Sequence, residues 1–313
     1  MIGKRLTSKF AVFYIVGIFL AGLLCGPEVS AQVSSGAPTT FTLGIVSQVN
    51  QKEIEKHFME FAEYVARRLA PTANVAGKVV TVGTPSRLAS LLKAKQADYY
   101  LESPYPTYVI NDVEGAGTLL LRRWKGGMAE YRSLIFTKRG GPIKRLDDLR
   151  GKMIAFEDPD STSGHFLAKF FLSRRGFKLA EKSRVESNLP PEETGYIFAY
   201  SQGALMDLVL AEKVAAGAFS DDDYAALGEQ QKSELAVLAQ TERLPRHLLS
   251  IRKDLDPRLV KRLEEVLLSM HDDPDGRKIL AKTDQTTRFD TLPGGEAAMR
   301  RQLLETFFSP PRK

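Results

Sequence analysis

Beyond residue 40 the chain alternates short apolar runs with amphipathic stretches, and no other feature narrows the possible folds as much. Residues 41–46 read as a buried strand. Ile54, Phe58, Phe61, Val65 and Leu69 then recur at three- and four-residue steps, which predicts a helix with one apolar face. Residues 78–82 form a second strand. Thr84-Pro85 supplies an N-cap and a first-turn proline for a helix carrying Leu88, Leu91 and Leu92, and residues 98–101 form a third strand. Strands alternating with helices predict a parallel sheet covered on both faces, with ligands bound in the crevice at the strand carboxyl ends. Residues 133–137 read as a strand and 146–149 as a short helix. A second unit of the same kind follows, with strands at 152–156, 196–199 and 216–219, helices at 163–173 and 202–211, and a further strand candidate at 235–239. Residues 246–252 are strand-like and lead into amphipathic helices starting near Pro257 and Asp273. A last helix over 296–308 is stopped by Ser309-Pro310-Pro311. No internal repeat is visible. The expected class is α/β, in two units.

Residues 1–31 read as a cleaved export signal. Lys4, Arg5 and Lys9 precede an apolar run over 10–24, too short for a comfortable membrane span, and Val29-Ser30-Ala31 fits the small-x-small cleavage rule. Cleavage before Gln32 places the protein in the periplasm. A retained anchor and a lipoprotein linked at Cys25 are the competing readings; Leu24 is too large for the position before a lipidated cysteine. Residues 33–40 are a Ser/Gly/Thr/Pro-rich lead-in. Cys25 is the only cysteine, so no disulfide framework exists and cleavage removes the only thiol. His57, His165, His247 and His271 are scattered without metal-ligand spacing, which argues against a zinc enzyme. At 43% hydrophobic and 26% charged residues the composition is that of an ordinary globular protein. Residues 1–31 carry a net +2, so cleavage leaves +4 of the formal +6, a mild positive balance that suits an anionic ligand but decides nothing alone. Nucleic-acid binding would need a dense basic face, and the pairs Arg122-Arg123 and Lys138-Arg139 read as solvated surface.

The most informative segment is Phe156-Glu157-Asp158-Pro159-Asp160-Ser161-Thr162-Ser163-Gly164-His165, which follows a strand and opens a helix. Ser161, Thr162 and Ser163 bring hydroxyls to the place where the first helical turn leaves backbone N–H groups unpaired. Gly164 would let a ligand approach the backbone. Hydroxyls, free N–H groups and the positive end of the helix dipole together make an oxyanion cradle. It contains no lysine, unlike the loop of nucleotide hydrolases. The plainer alternative is that Ser161 or Thr162 simply caps the helix.

The run Leu146-Asp147-Asp148-Leu149-Arg150-Gly151-Lys152, then Ile154-Ala155-Phe156, Asp158-Pro159 and Ser161-Thr162-Ser163-Gly164, resembles the hallmark of the phosphonate/phosphite/phosphate periplasmic binding proteins of ABC transporters. Asp98 with Ser103-Pro104, the stretch from Glu242 to Pro245 with Arg252 and Asp254, Asp273-Pro274 and Phe289-Asp290 extend the likeness over most of 41–308. The resemblance implies a type II periplasmic-binding-protein fold, two α/β lobes joined by two hinge strands and closing on a ligand like a clamp. Lobe one is expected over 41–140 and 245–313, lobe two over 141–244. The family's anion-binding hydroxyls map onto Ser161, Thr162 and Ser163, with Gly164 and His165 beside them. The loop after the third strand maps onto Ser103 and Tyr105. Ser201 and Asp221 stand where relatives place polar side chains. Glu102 departs from the pattern, since many relatives carry an apolar residue there, and a carboxylate repels a bare dianion unless the ligand also has a cationic part. Gln202 replaces a histidine. Tyr131 and Arg132, ahead of a hinge strand, are within reach of the cleft, and Arg132 offers a bidentate contact.

Three functions follow from this. The first is a monomeric solute-binding subunit that hands a phosphate- or phosphonate-like oxyanion to an ABC permease. The second keeps the fold and docks the closed form on a membrane sensor such as a histidine kinase or chemoreceptor. The third, an enzyme on the same lobes, is disfavoured because export removes the thiol and no histidine pairs with an acid or base. No cofactor, metal or nucleic acid is expected.

Overall fold

The structure, a computed structural model, describes residues 40–308 except 49, 70–74 and 186–187. The expected signal peptide, its expected cleavage site and Cys25 lie outside the described residues. In chain order the strands are β1 (Thr40–Val46), β2 (Ala76–Val82), β3 (Tyr99–Glu102), β4 (Gly117–Lys125), β5 (Glu130–Tyr131), β6 (Ser133–Lys138), β7 (Met153–Phe156), β8 (Lys178–Glu181), β9 (Glu193–Phe198), β10 (Ala216–Ser220), β11 (Leu235–Gln240), β12 (Leu244–Pro245), β13 (His247–Arg252) and β14 (Thr286–Thr291). Two six-stranded sheets result, ordered β14-β4-β13-β3-β1-β2 and β11-β6-β10-β7-β9-β8.

Both sheets are mixed rather than purely parallel. β1, β2 and β3 run parallel, but the chain returns from the second lobe as β13, antiparallel to both β3 and β4. In the second sheet β7, β8, β9 and β10 are parallel and β6 opposes β10 and β11. β6, expected at the end of the first lobe, therefore belongs to the second sheet. The chain crosses just before it, at β5, and crosses back at β12. These two crossings pair with each other as a two-stranded antiparallel ribbon.

Each sheet buries both faces, as strands flanked by amphipathic helices must. Helix Gln51–Leu69 lays Phe58, Phe61 and Val65 on a core shared with Phe41, Leu43 and Phe289. Helix Pro85–Lys93, capped by Thr84 and opened by its proline, packs Leu88, Leu91 and Leu92 on the other face beside Tyr100 and Ile110. The second sheet is covered likewise, by Ala168 and Leu172 on one side and by Leu205, Met206 and Val209 on the other.

β4, β8 and β14 do not stand out in the sequence as strands. β4 alternates buried and half-buried positions along its length, but one of its inward residues is Arg123, only 1% exposed. A charged residue at an inward position masks the apolar alternation. The reading of Arg122-Arg123 as solvated surface is thus corrected: Arg122 has a largely covered side chain paired with Asp290, and Arg123 is buried. Its guanidinium donates to Thr286 Oγ1 at 2.7 Å and to Asp284 Oδ2 at 3.0 Å, so burial is tolerated because the charge is paired. Tyr99 and Tyr100 are fully buried core residues, and the Tyr100 hydroxyl donates to Asn111 Oδ1.

The lobes also meet away from the ribbon. Tyr105, Tyr108, Phe166, Phe170 and Phe307 form one aromatic cluster drawn from both. Arg174 of the second lobe donates to the carbonyls of Glu305 and Thr306 on the last helix, Gly295–Phe307.

Candidate functional site

The carboxyl ends of β1 and β3 face the loop that leaves β7, and between them lies a cleft of about 350 Å3. Val46, Ser47, Gln48, Glu102, Ser103 and Pro106 form the first-lobe wall, joined by Lys125, Arg246 and His247 from β4 and the start of β13. Glu157, Asp158, Asp160, Ser161, Thr162, Ser163, Tyr200 and Asp223 form the opposite wall, and Tyr131 lies at the hinge.

The loop after β7 ends in a π-helical turn, Thr162–Phe166, that runs into helix Leu167–Ser173. Such turns widen the backbone and recur at functional sites. Ser161 is the N-cap: its hydroxyl accepts from the Gly164 N–H at 3.0 Å and donates to Glu157 Oε2 at 3.0 Å. Thr162 reaches across the cleft instead. Its hydroxyl donates to Ser103 Oγ at 2.9 Å and accepts from the Tyr105 N–H at 2.9 Å. Ser163 lines the cleft, and its carbonyl accepts from Ser133 Oγ at 2.6 Å. Gln48 Nε2 donates to Asp160 Oδ2, a further contact between the walls.

The cleft is electrically uneven. Five carboxyl groups line it, Glu102, Glu157, Asp158, Asp160 and Asp223, against the cations Lys125 and Arg246. Lys125 pairs with Asp284 at 2.9 Å, and Arg246 pairs with Asp222 at 2.7 Å while lying over the Tyr131 ring. Burial pushes Glu157, Asp158 and Asp160 above the ordinary carboxylate range. It pushes Glu102 up to about 8, against the opposing effect of hydrogen bonds from backbone N–H groups. Burial likewise raises the Tyr131 hydroxyl to about 12, so it stays a donor at neutral pH.

Residues 43–292 match the family described as ABC transporter, phosphonate, periplasmic substrate-binding protein. The chain belongs to that family. Solved structures agree on the fold. XAC2383 of Xanthomonas citri, bound to ATP, has a TM-score of 0.77 at 24% identity, covering 87% of this chain and 96% of that one. PhnD1 of Prochlorococcus marinus, in complex with methylphosphonate, has a TM-score of 0.62 at 18% identity over 86% of this chain and 97% of that one. The aliphatic sulphonate binding protein SsuA of Escherichia coli has a TM-score of 0.52 at 15% identity, with 87% of each chain covered.

Within this phosphonate-binding family member, the residues singled out from sequence separate into two groups. Glu102, Ser103, Ser161, Thr162 and Ser163 line the cleft. Tyr105, Gly164, His165, Ser201 and Asp221 are not among its lining residues. Tyr105 stacks on Phe166 and reaches the site only through its backbone N–H. His165 is buried among Phe156, Phe166 and Phe198, its Nδ1 against the Pro159 carbonyl, and burial lowers its pKa to about 4, so it is a neutral core histidine. Ser201 caps helix Gln202–Leu210 through the Ala204 N–H. Asp221 is tied to Arg243 and to the Arg132 N–H, and Asp223 lines the cleft in its place. Arg132 donates to Gln240 Oε1 and is not a cleft-lining residue.

Gly164 serves packing. A Cβ there would lie 2.6 Å from Glu157 Cβ and 2.8 Å from Ser161 Oγ, so the absent side chain makes room for the cap. Gly164→Ala is expected to destabilise the protein by about 1–3 kcal/mol, as overpacking does, read from a urea melt; unchanged stability would show that the loop yields freely. Lys125, Arg246 and His247 escape a sequence reading because they converge from distant segments, whereas Asp160 stands inside the segment 156–165 without a feature that sets it apart from its acidic neighbours. Arg246 had one usable signal, its place directly after Leu244-Pro245 at the return crossing.

Proposed function

We propose that this chain captures a phosphonate- or phosphate-class oxyanion between its lobes in the periplasm and delivers it, as a monomer, to an ABC permease. The observation that carries the reading is the convergence of Thr162 and Ser163, at the amino end of a helical segment, on Ser103 of the opposite lobe. Hydroxyls and first-turn N–H groups at a helix start favour an oxyanion. In this reading Thr162 and Ser163 hold the anion from one lobe, Ser103 from the other, and the Tyr131 hydroxyl donates from the hinge. Arg246 adds positive potential without leaving Asp222. Ser161 holds the helix start in shape. The lobes turn about the paired crossings at β5 and β12, after removal of a signal peptide over 1–31.

A thermal-shift screen of protein beginning at Gln32 tests this, with methylphosphonate, aminoalkylphosphonates, phosphate, phosphite, ATP and sulfate as ligands. ATP is included because the Xanthomonas protein carries it. A ligand at a hundred times its dissociation constant adds about 2.7 kcal/mol of stability. Stabilisation by a phosphorus oxyanion supports the assignment. Stabilisation by sulfate alone, or by none of the set, overturns it.

A further inference from the structure

Five carboxyl groups line a cleft that the oxyanion reading fills with an anion, and Glu102 is the one among them that is buried. It ends β3, lines the cleft beside Ser103 and is 8% exposed. Its Oε1 accepts from the Val46 N–H at 2.6 Å, and no basic side chain bonds to it among the described residues. A buried acid next to an anion cradle, without a cation of its own, repels a fully ionised ligand unless a proton lies between them. We infer that Glu102 and the bound oxyanion share one proton, which makes this cleft select oxyanions with a basic, protonatable oxygen, phosphonates and phosphates, over sulfate. The inference rests on the oxyanion reading above and specifies the chemistry of that same site.

The proton balance is simple. A dianion binds to Glu102 in its acid form, which donates its proton into a hydrogen bond with a ligand oxygen. A monoanion carrying P–OH binds to the carboxylate and supplies the same proton. Both routes end in one complex with one shared proton. Sulfate has no comparably basic oxygen, so it gains less from the donor and has no proton to bring.

The surroundings favour this state. Asp160 faces Glu102 from the second lobe and disfavours its charge. From β4, Arg123 gives only weak relief, because its guanidinium is committed to Asp284 and Thr286, and Lys125 is held by Asp284 as well. From the start of β13, Arg246 is paired with Asp222, and burial keeps the His247 ring neutral. Tyr105, on the short helix after β3, is pushed up by burial and remains a neutral phenol.

The sign of the pH dependence follows. The acid form of Glu102 persists up to about pH 8. An alkylphosphonate has carbon in place of a phosphate monoester's ester oxygen, so it gives up its second proton well above the monoester's value of about 6, only slightly below Glu102. Binding should be tightest just below pH 8. Above pH 8 both partners are ionised, a proton must be drawn from solvent, and affinity should fall about tenfold per pH unit.

The experiment is isothermal titration of methylphosphonate and of sulfate into wild type and Glu102→Gln between pH 6.5 and 9.5, repeated in buffers of different ionisation enthalpy. Glutamine keeps the acceptor for Val46 and offers the ligand an N–H, but it cannot exchange a proton. Wild type should take up close to one proton per methylphosphonate above pH 8 and show the tenfold slope. In Glu102→Gln the uptake should vanish, the profile above pH 7.5 should flatten, and the preference for methylphosphonate over sulfate should shrink at least tenfold. Proton uptake in wild type is a test that needs no variant. Methylphosphonate binding with no proton uptake, or with the same slope in Glu102→Gln, overturns this inference and leaves oxyanion capture standing. Stabilisation only by amine-bearing phosphonates also overturns it, since Glu102 would then be an ammonium partner. Failure to bind any oxyanion overturns capture itself.

Discussion

Replacing Thr162 and Ser163 together by alanine is expected to lower oxyanion affinity a hundredfold or more at a cost of only about 1–2 kcal/mol in stability, the Thr162 hydroxyl's bonds with Ser103 and the Tyr105 N–H being lost. Two hydrogen bonds to a charged group are lost, each contributing about 1.5–3 kcal/mol. The helix start survives because its cap is Ser161, whose hydroxyl accepts from the Gly164 N–H. Ser161→Ala should cost about 1 kcal/mol of stability and far less affinity. Titration and urea unfolding of the two variants, with the best ligand from the screen, separate holding an anion from capping a helix. Intact affinity in the double variant would remove the assignment of this loop as the cradle. So would a fall in affinity no larger than that of Ser161→Ala.

The largest loss of stability is expected at a residue outside the cleft lining. Arg123→Met should cost about 3–5 kcal/mol, the usual penalty for removing one partner of a buried ion pair. Thr286 Oγ1, the carbonyls of Thr283 and Asp284 and the Asp284 carboxylate would all lose their donor. The neighbouring Arg122 is bidentate to Asp290, a pair that solvent still reaches from the Asp290 side, and should cost less, about 1–2 kcal/mol, when replaced by methionine. The pH dependence gives a second signature. Burial pushes the Asp284 carboxyl up, but Arg123 and Lys125 outweigh it and hold it below the ordinary range. A depressed carboxyl stabilises the fold above its unfolded pKa, about 4, and the contribution is lost as pH falls through the lower folded value. Wild type should therefore lose stability on acidification below pH 5, and Arg123→Met should lose less over the same interval. Equal acid limbs, or a cost near that of Arg122→Met, would contradict the role given to Arg123.

What the sequence disclosed followed from periodicity and from local chemistry. β1, β3 and the helices between them obey apolar periods with capping signals, and Ser161, Thr162 and Ser163 are read from their place between a strand and a helix. β4 was hidden because its inward position 123 is an arginine, and the partner that makes this tolerable, Asp284, lies far along the chain. β6 reads from the sequence as the end of the first lobe, although it pairs in the second sheet, because an apolar strand carries no mark of which core it joins. Asp221, Asp222 and Asp223 occupy successive positions, so only the helix start at Ser220 decides which of them lines the cleft. The cationic corner of Lys125, Arg246 and His247 is assembled by antiparallel pairing of β4 with β13, and a single sequence contains no trace of that register.

The paired crossings have a mechanical consequence. Because β5 and β12 are hydrogen-bonded to each other, the two connections behave as a single axle rather than as two independent tethers. Tyr131 ends one of these strands and Arg246 directly follows the other, so both sit at the axle, where rotation moves atoms least. Contacts made there have little lever arm, so under the proposed capture between lobes they would hold cargo in place but do little work in shutting the jaws. Work of closure must come from groups farther from the axis, such as Gln48 with Asp160 and Ser103 with Thr162. Substitutions at the axle should thus change how long cargo stays, and substitutions at the jaw tips should change how often the jaws shut.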